Sequence, residues 1–428
     1  MANPNRVHPP SHFPSAPGTT SETTGFVVCK FGGTSVATTD GRKALAAKVK
    51  EHLGAGKKPV LVVSAMGRRG EPYATDTLID QVAGLPTRDR EYDLLASVGE
   101  VISAVKIAHE LRAAGIEARA FMGAEAGIVT DDTAKDARIL SICPAALIEA
   151  AEQSVVPVVC GFQGISTSGY LTTLGRGGSD TTACALGVAL DAEAVEIYSD
   201  VDGVMTADPR DVEAARVIEV LDPDELYQLV RMGSRIVHTP AAELAQKSGV
   251  NLLVKNTYSQ HPGTAVKNMD VNKVSELATA ISCKTGITRF IVNLGRDEGC
   301  VPHIEAQAAI YKAIARKGVS LDLFTPAGDK LYFTVNSEDA DSTLSALKEL
   351  EVIACCMDGL AKVTVVGAAM HGLPGIMSRI ATPLAQAGID VYQTADSHAT
   401  ISVLVKEEEA VQAQIVLHTA FGLDAAHT

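Results

Sequence analysis

An internal repeat in the carboxyl-terminal third constrains the fold of this chain more than any other feature. The sequence GVSLD at 318–322 opens one copy, and GIDVY at 388–392 opens the other, 70 residues later. With the same offset, residues 331–335 fall on 401–405 without a gap, and helical patterns precede both copies at 304–317 and 374–387. Each copy predicts strand, helix, strand, strand, helix. Such units pair edge to edge and bind small molecules at the seams between them.

The first two thirds of the chain have a different pattern. Longer helical patterns at 99–114 and 181–190 alternate with short apolar, β-branched runs at 26–31, 59–63, 155–160, 194–198 and 251–254. This alternation predicts an α/β domain with a mainly parallel sheet between layers of helices. Polar groups that follow its strands are expected at the carboxyl edge of the sheet, where open α/β folds bind ligands.

These patterns predict five segments. The chain is divided into a disordered tail at 1–25, an α/β domain at 26–265, a connection at 266–287, a first repeat at 288–358 and a second at 359–428. The tail is rich in Pro, Ser and Thr and has too little apolar surface to offset its ordering entropy. The polar stretch 256–276 indicates the connection.

Composition excludes several classes of protein. The net charge of −14 argues against a nucleic-acid partner, although it allows an anionic substrate held by local cations and backbone N–H groups. No apolar stretch approaches the roughly 20 residues that span a bilayer, so no membrane partner is expected. The N-terminus lacks the apolar core of a secretory signal. The eight cysteines show no C-x-x-C pair, which favours reduced thiols in a cytoplasmic protein.

The first motif is KFGGTS at 30–35, directly after the first predicted strand. Gly32 and Gly33 allow a sharp turn in which the backbone approaches phosphate oxygens closely. Lys30 can place a positive charge on a phosphoryl group. The lysine precedes the glycines, so the motif differs from the usual phosphate loop, and a glycine turn after a strand is also common as plain punctuation.

The second motif is TTLGRGGSD at 172–180, which opens a helix of small and apolar residues. Ser179 and Asp180 are good helix N-caps, and a helix N-terminus favours anions. A capped helix after a flexible turn is the structural alternative. Arg176 argues against it, because a guanidinium in a glycine-rich turn is well suited to clamp a carboxylate.

The third motif, YSDVDGVMTADPR at 198–210, follows a strand. Its aspartates Asp200, Asp202 and Asp208 suggest a metal site, but the remainder of a calcium loop is missing. Contacts to a nucleotide or capping roles are the alternatives, and no metal ligand is assigned directly. Two weaker segments also carry polar groups: SAMG at 64–67 with Thr75 downstream, and Glu100 at the start of a helix, where a lone glutamate is commonly a partner of the helix dipole.

These motifs together resemble the aspartate kinases. KFGGTS and TTLGRGGSD match signatures of that family, and the resemblance runs from the first strand to the last. It implies an amino-acid-kinase-type catalytic domain followed by two ferredoxin-like ACT units, which sense amino acids. The two units of such kinases are interleaved, so the resemblance also implies that a strand near 278–282 joins the sheet of the second repeat. The implied activity is phosphorylation of the side-chain carboxylate of L-aspartate by ATP with Mg²⁺, the first step towards lysine or diaminopimelate, threonine and methionine.

The resemblance also implies roles for individual residues. Lys30 would neutralise charge between donor and acceptor, oriented by Asp180, and Arg176 and Glu100 would hold the α-carboxylate and the α-ammonium of the substrate. Ser35, Ser64 and Thr75 would be substrate-binding neighbours. Nucleotide contacts are expected from one set of residues: Lys30, Gly32, Gly33, Gly177, Gly178, Ser179, Tyr198, Ser199, Asp200, Asp202, Asp208, Arg210 and Arg235. Arg235 replaces the lysine usual in the family, which changes the donor geometry there.

Feedback regulation follows from the ACT resemblance. An amino-acid effector is expected near Ser320, Asp322, Asp390 and Gln393, at seams between subunits of a homo-oligomer. The string at 393–403 resembles the diaminopimelate-sensitive subgroup, with lysine as the nearest rival effector. Two other functions stay open at this point: a kinase of the same fold acting on glutamate or a carbamate, and an amino-acid-sensing regulator with an inactive kinase fold.

Overall fold

The computed structural model describes residues 25–234, 236–268, 277–294, 303–367, 370 and 374–424. These residues form two compact units. The first comprises the described residues up to Gly203 together with Val237–Lys267, and the second comprises Val204–Ile236 and the described residues from Asn268 onward. The predicted tail, apart from Gly25, lies outside the described residues. The domain boundaries drawn from the sequence remain predictions.

The secondary structure alternates as the sequence predicts. The strands are β1 (Phe26–Phe31), β2 (Lys58–Val63), β3 (Ala118–Phe121), β4 (Ile128–Thr130), β5 (Ile139–Ile142), β6 (Val156–Cys160), β7 (Gln163–Ser166), β8 (Leu171–Thr173), β9 (Ala194–Ser199), β10 (Val220–Leu221), β11 (Leu252–Asn256), β12 (Thr264–Val266), β13 (Ala280–Asn293), β14 (Asp322–Ala327), β15 (Lys330–Asn336), β16 (Ala354–Val366), β17 (Gln393–Asp396) and β18 (Thr400–Lys406). The helices are α1 (Gly33–Ala37), α2 (Thr39–Gly54), α3 (Thr75–Asp80), α4 (Asp89–Ala96), α5 (Val98–Ala113), α6 (Ala145–Glu152), α7 (Gly178–Ala189), α8 (Pro223–Arg231), α9 (Thr239–Ser248), α10 (His303–Arg316), α11 (Ala340–Glu349), α12 (Ile376–Gln386) and α13 (Ala410–Ala420).

The main sheet of the first unit is mostly parallel. Its strands run in the order β12-β11-β9-β1-β2-β6-β3, and of the pairings among them only that of β11 with β12 is antiparallel. The strands are rich in valine and buried on both faces, as parallel strands covered by helices are. Val27 and Phe31 of β1 pack with Leu45 of α2 and Ile107 of α5. A smaller sheet has the order β5-β4-β7-β8.

The second unit contains the repeat. Its sheet has the order β14-β15-β13-β16-β18-β17, with antiparallel pairs throughout. The elements β13-α10-β14-β15-α11 and β16-α12-β17-β18-α13 give each copy the predicted strand, helix, strand, strand, helix order. β13 and β16 are long strands paired with each other at the centre of the sheet. The start of β13 covers the strand expected near 278–282 and pairs there with the second copy.

Two details differ from the sequence expectations. The helix predicted at 181–190 begins three residues earlier, at Gly178, because Gly177 adopts φ +72° and turns the chain directly into α7. The stretch 256–276, expected to be a plain connection, contains β12, which pairs with β11 and extends the main sheet. In the part of the chain that the structure describes, no helix combines the length and apolar character that crossing a membrane requires.

Candidate active site

A cavity of about 370 Å³ lies in the first unit where the two glycine-rich motifs meet. Lys30 reaches it from the end of β1, Ser64 follows β2, and Phe162 follows β6. These strands are parallel, so their carboxyl ends deliver polar groups to one edge of the sheet. The complete lining is Lys30, Gly33, Ser64, Ala65, Gly67, Thr75, Asp76, Ile79, Tyr92, Glu100, Lys135, Phe162, Thr173, Gly175, Arg176, Gly177, Gly178, Ser179, Asp180 and His238.

An ion pair joins the two motifs inside this cavity. The Nζ of Lys30 lies 2.6 Å from Oδ1 of Asp180, and both side chains are largely buried. The other carboxylate oxygen of Asp180 accepts a hydrogen bond from the backbone N–H of His238 at 3.3 Å. Asp180 therefore fixes the direction of the Lys30 ammonium, which leaves two of its protons available to a ligand.

Close contacts leave no room for a side chain at glycines of both motifs. A Cβ at Gly177 would lie 2.1 Å from Cβ of His238, and one at Gly33 would lie 2.7 Å from the carbonyl oxygen of Ala65. Gly33, Gly177 and Gly178 line the cavity, whereas the N–H of Gly32 donates to the carbonyl of Tyr198 at 3.4 Å. Because these three glycines have no side chains, the cavity is bounded by backbone atoms at their positions.

Glu100 lies in the first turn of α5 and is 3% exposed. Its Oε1 accepts a hydrogen bond from the N–H of Ala65 at 3.0 Å, while its Oε2 has no hydrogen-bond partner among the described residues. Burial raises the pKa of this carboxyl to about 8, with the Ala65 hydrogen bond acting in the opposite direction. A buried carboxylate oxygen without a partner at a cavity wall is suited to receive a cationic ligand group.

The other predicted substrate residues divide into two groups. Arg176, Ser64 and Thr75 line the cavity, and in the described part of the chain no hydrogen bond or ion pair engages the Arg176 guanidinium. Ser35 does not reach the lining: it is fully buried, and its hydroxyl is 2.7 Å from that of Thr257. The structure thus brings together Lys30, Asp180, Arg176, Glu100, Ser64 and Thr75 and leaves Ser35 in a structural contact.

The first part of the third motif is already engaged within the first unit. The Tyr198 side chain is buried, stacked on Phe31 at 4.6 Å between ring centroids, with its hydroxyl on Glu196. Asp202 accepts a hydrogen bond from the side-chain amide of Asn256 at 2.9 Å. Ser199 accepts one from the N–H of Val201, and exposed Asp200 lies 3.5 Å from Arg68. The Tyr198 side chain therefore belongs to the hydrophobic core of the first unit.

The rest of that motif belongs to the second unit. The guanidinium of Arg210 donates two hydrogen bonds to the carboxylate of Asp208, at 2.6 and 3.0 Å. Both residues follow Ala207, which lies in the core of the second unit. Arg235 lies outside the described residues. Among the described residues, the aspartates of this motif form no metal-ligand cluster. The nucleotide contacts assigned to these residues stay predictions.

Several cavity residues carried no recognised sequence signal. Lys135 adopts φ +66°, its ammonium lies 2.7 Å from Asp89, and it lies over the ring of Tyr92. Thr173 lies inside the TTLGRGGSD motif, which gave it no role, and His238 lies in none of the three motifs. Lys135 has no motif around it, and only the fold brings it to the cavity.

A separate polar cluster lies between α2 and the main sheet. Glu196 of β9 contacts His52 at 3.0 Å, Lys255 at 3.3 Å and the hydroxyl of Tyr198. Burial alone raises the pKa of Glu196, but the hydrogen bonds from His52 and Tyr198 and the charges of His52 and Lys255 outweigh it and lower the pKa to about 2. Cys29 lies close enough to His52 and Glu196 for a shared metal ion, yet Glu196 is already satisfied by protein donors.

The four residues assigned to effector binding lie in the second unit. Asp322 forms an ion pair with the buried Lys362, and the side-chain amide of Gln393 donates to the carbonyl oxygen of Leu323. Ser320 and Asp390 occupy equivalent places in the two copies and are exposed. A second cavity, of about 250 Å³, contains none of these residues and is lined by Met370, Ile376, Met377, Thr394, Ala395, Asp396, Ser397 and Ile401.

Comparisons with known proteins agree with this architecture. The amino acid kinase family model matches residues 25–256, and an ACT domain model matches residues 356–419. Aspartokinase 1 of Bacillus subtilis (strain 168) is 40% identical over 407 residues, which cover 93% of this chain and 99% of that protein. The aspartokinase of Geobacillus stearothermophilus is 36% identical over 408 residues, covering 93% and 98%.

A solved structure with a similar fold is also an aspartokinase. E. coli aspartokinase III in complex with aspartate and ADP has a TM-score of 0.77 and 25% identity, over 93% of this chain and 100% of that one. The fold and the cavity define a kinase of the amino acid kinase class. The chain belongs to the aspartokinase family, with an aspartate kinase catalytic part and regulatory ACT domains. The predictions of family, fold class and enzymatic activity are confirmed.

Proposed function

We propose that the cavity between the two glycine-rich motifs transfers the γ-phosphoryl group of ATP to the side-chain carboxylate of L-aspartate. The bond between the γ-phosphorus and the oxygen that leaves with ADP breaks, and a bond to a carboxylate oxygen forms, giving 4-phospho-L-aspartate. The observation that carries the proposal is that Arg176 and Glu100, a cation and an anion, line the same cavity as the Lys30–Asp180 pair.

The substrate end of the cavity suits a zwitterion. The guanidinium of Arg176 would bind the α-carboxylate through paired N–H donors, and the partnerless Oε2 of Glu100 would accept from the α-ammonium. The hydroxyls of Ser64 and Thr75 are neighbouring donors and acceptors. The side-chain carboxylate is already ionised at neutral pH, so the transfer requires no general base.

The phosphate end depends on Lys30 and on backbone. The ammonium of Lys30, directed by Asp180, would stabilise negative charge on the transferring group, and the glycine wall at Gly177 and Gly178 would let the backbone come close to phosphate oxygens. Such positioning and charge stabilisation account for most of phosphoryl-transfer catalysis.

These residues are compatible with a Mg²⁺ ion that is held mainly by the nucleotide phosphates and reaches Asp180 through water. Asp180 already bonds Lys30 and the N–H of His238, so its carboxylate suits an outer role through water better than direct ligation. A magnesium ion bound by the nucleotide phosphates, which keeps several waters, fits that arrangement. When bound, the ion would neutralise phosphate charge.

A trapping experiment tests the reaction. Purified protein is incubated with MgATP, L-aspartate and hydroxylamine, and the hydroxamate formed from an acyl phosphate is measured, with L-glutamate in a parallel sample. Lys30→Ala should abolish the product, whereas Lys43→Ala, which removes an exposed lysine from the surface of α2, should leave it unchanged. Hydroxamate from glutamate at an equal rate, or from Lys30→Ala, would contradict the assignment.

We further propose that the second unit binds a diamino acid effector, diaminopimelate first and lysine as its rival, in a homo-oligomer. The bond from the Gln393 amide to Leu323 brings Gln393 close to Asp322 at the contact between the two repeats, and Oε1 of Gln393 has no partner among the described residues, which supports a site for an amino-acid zwitterion there. Adding diaminopimelate, lysine or threonine to the trapping assay separates these effectors. Light scattering with and without the inhibitor measures the oligomeric state.

A further inference from the structure

Asp93 is a buried carboxylate that belongs to none of the sequence motifs. It lies on α4, is 1% exposed, and its Oδ1 accepts two hydrogen bonds. One comes from the backbone N–H of Lys135 at 3.0 Å and the other from the hydroxyl of Thr173 at 2.8 Å. Burial raises the pKa of Asp93, and these hydrogen bonds act against that rise. The Lys135 ammonium makes its ion pair with Asp89 instead.

The two segments that Asp93 joins also contact each other. The N–H of Ala137 donates to the carbonyl oxygen of Thr173 at 2.8 Å. The space beside Gly175 is filled by Asp136, whose Oδ1 would lie 2.5 Å from a Cβ there. Residues 135–137 therefore lie against the chain that runs from Thr173 through Gly175 into Arg176.

Lys135 has a conformation that needs external support. Its φ of +66° lies in the left-handed region, which is uncommon for a residue with a side chain. The hydrogen bond from its N–H to Asp93 is a contact that holds this conformation. Lys135 and Arg176 both line the cavity, so the hydrogen bonds of Asp93 hold the backbone near two cationic residues of the lining.

We propose that Asp93 is a positioning residue for the amino-acid substrate, which holds Lys135 and Thr173 together and thereby places Arg176 and Lys135 in the cavity. The inference rests on the proposed binding of the α-carboxylate by Arg176. It assigns Asp93 no contact with substrate or nucleotide. A buried carboxylate retained against neutral donors is costly, so a purely apolar filler would be better for stability alone.

The test measures initial rates with L-aspartate and ATP varied separately. Asp93→Ala should raise the KM for L-aspartate about tenfold and change the KM for ATP less than about twofold. Asp93→Asn keeps an oxygen that can accept both hydrogen bonds and should restore most of the affinity. Glu91→Ala, an exposed carboxylate on the same helix, should behave as the unmodified protein.

A second pair of variants addresses a failure of Asp93→Ala to fold. Thr173→Val removes one of the two hydrogen bonds, and Thr173→Ser keeps it, so the KM for L-aspartate should rise in the first and recover in the second. An unchanged KM for L-aspartate in both Asp93→Ala and Thr173→Val overturns the inference. Equal rises in both KM values together with a lowered Tm also overturn it, since they indicate general destabilisation. Lack of turnover by the unmodified protein would instead contradict the proposed reaction.

Discussion

The ammonium of Lys30 lies 2.6 Å from the carboxylate of Asp180, although 150 residues separate them in the sequence. Lys30 is at the end of the central strand β1, and Asp180 is in the first turn of α7. The pair connects the two glycine-rich motifs through a single contact at the cavity. A loss of either charge should therefore affect the placement of the donor phosphate rather than the core of the domain.

Asp180→Asn should lower kcat on the order of 100-fold, because the neutral amide no longer directs the Lys30 ammonium at the transferring group. Steady-state ADP release measures the change, and circular dichroism confirms folding. The matched control is Asp40→Asn, which also removes a carboxylate facing a lysine, Lys43 at 3.4 Å, but on an exposed surface. A kcat for Asp180→Asn equal to that of the control would refute the catalytic importance of the pair.

Glu100 should make the binding of L-aspartate dependent on pH. Its pKa is raised to about 8, so the free protein holds a proton on Glu100 at pH 7. The α-ammonium of the substrate favours the ionised carboxylate, so binding should release a proton and the affinity should increase as the pH rises towards 8. Calorimetry in buffers of different ionisation enthalpy measures the released proton.

The Glu100→Gln variant provides the control for that pH dependence. It should bind L-aspartate more weakly and lose the proton release, because glutamine has no titrating group. The raised pKa has a second consequence: the folded protein holds a proton that the unfolded chain loses. The free energy of unfolding without ligand should thus decrease as the pH rises from about 4.5 to about 8, and do so less in the variant. Proton release by Glu100→Gln would assign it to another group.

Glu196 should stabilise the first unit, and should do so only above acidic pH. Its pKa is lowered to about 2, so its contribution is complete above the ordinary value of about 4.5 and is lost as the pH falls towards 2. Glu196→Gln should lower the free energy of unfolding at pH 7 by about 1–3 kcal/mol and flatten its decline between pH 5 and 3. Urea denaturation at a series of pH values measures both effects.

A nearby ion pair offers the comparison for Glu196. Glu193 contacts Lys57 at 2.7 Å, but this pair is partly exposed. Glu193→Gln should therefore cost less than about 1 kcal/mol and leave the acid limb unchanged. Equal losses in the free energy of unfolding for the two variants would show that burial of the Glu196 cluster does not increase its contribution to stability.

The sequence was sufficient where local patterns decide the structure. The run at 26–31 predicts β1 with both ends correct, because β-branched residues followed by two glycines define a buried strand and its turn. Lys30, Arg176 and Asp180 were identified because motifs carry them, and the cavity contains all three. The repeat likewise predicted the element order of both copies.

Long-range contacts set the limit of that prediction. Asp93 meets Lys135 and Thr173, which are 42 and 80 residues away, and no local pattern marks an aspartate on a short helix as buried. The burial of Tyr198 also depends on a contact with a residue far away in the sequence. Its position in a motif suggests a nucleotide contact, which stays a prediction. No local pattern indicates that its register opposite Phe31 in the parallel pair of β1 and β9 places the two rings in a stack inside the core.

Gly177 should not tolerate a side chain, because of its contact with His238 as well as its backbone conformation. It has φ +72°, and a Cβ there would lie 2.1 Å from Cβ of His238, whose N–H bonds Asp180. Gly249 has φ +67°, yet nothing lies within 4 Å of its added Cβ. Gly249→Ala should therefore cost only the strain of the left-handed conformation, about 1–2 kcal/mol, with activity retained.

Gly177→Ala carries the same strain and adds a clash with His238, so it should cost more in stability and also displace Asp180 from Lys30. Thermal denaturation and the trapping assay on both variants separate the two effects. Equal stability losses and equal activities would mean that His238 moves away without consequence. The hydrogen bond from His238 would then be unnecessary for holding Asp180, and the orientation of Lys30 would depend on α7 alone.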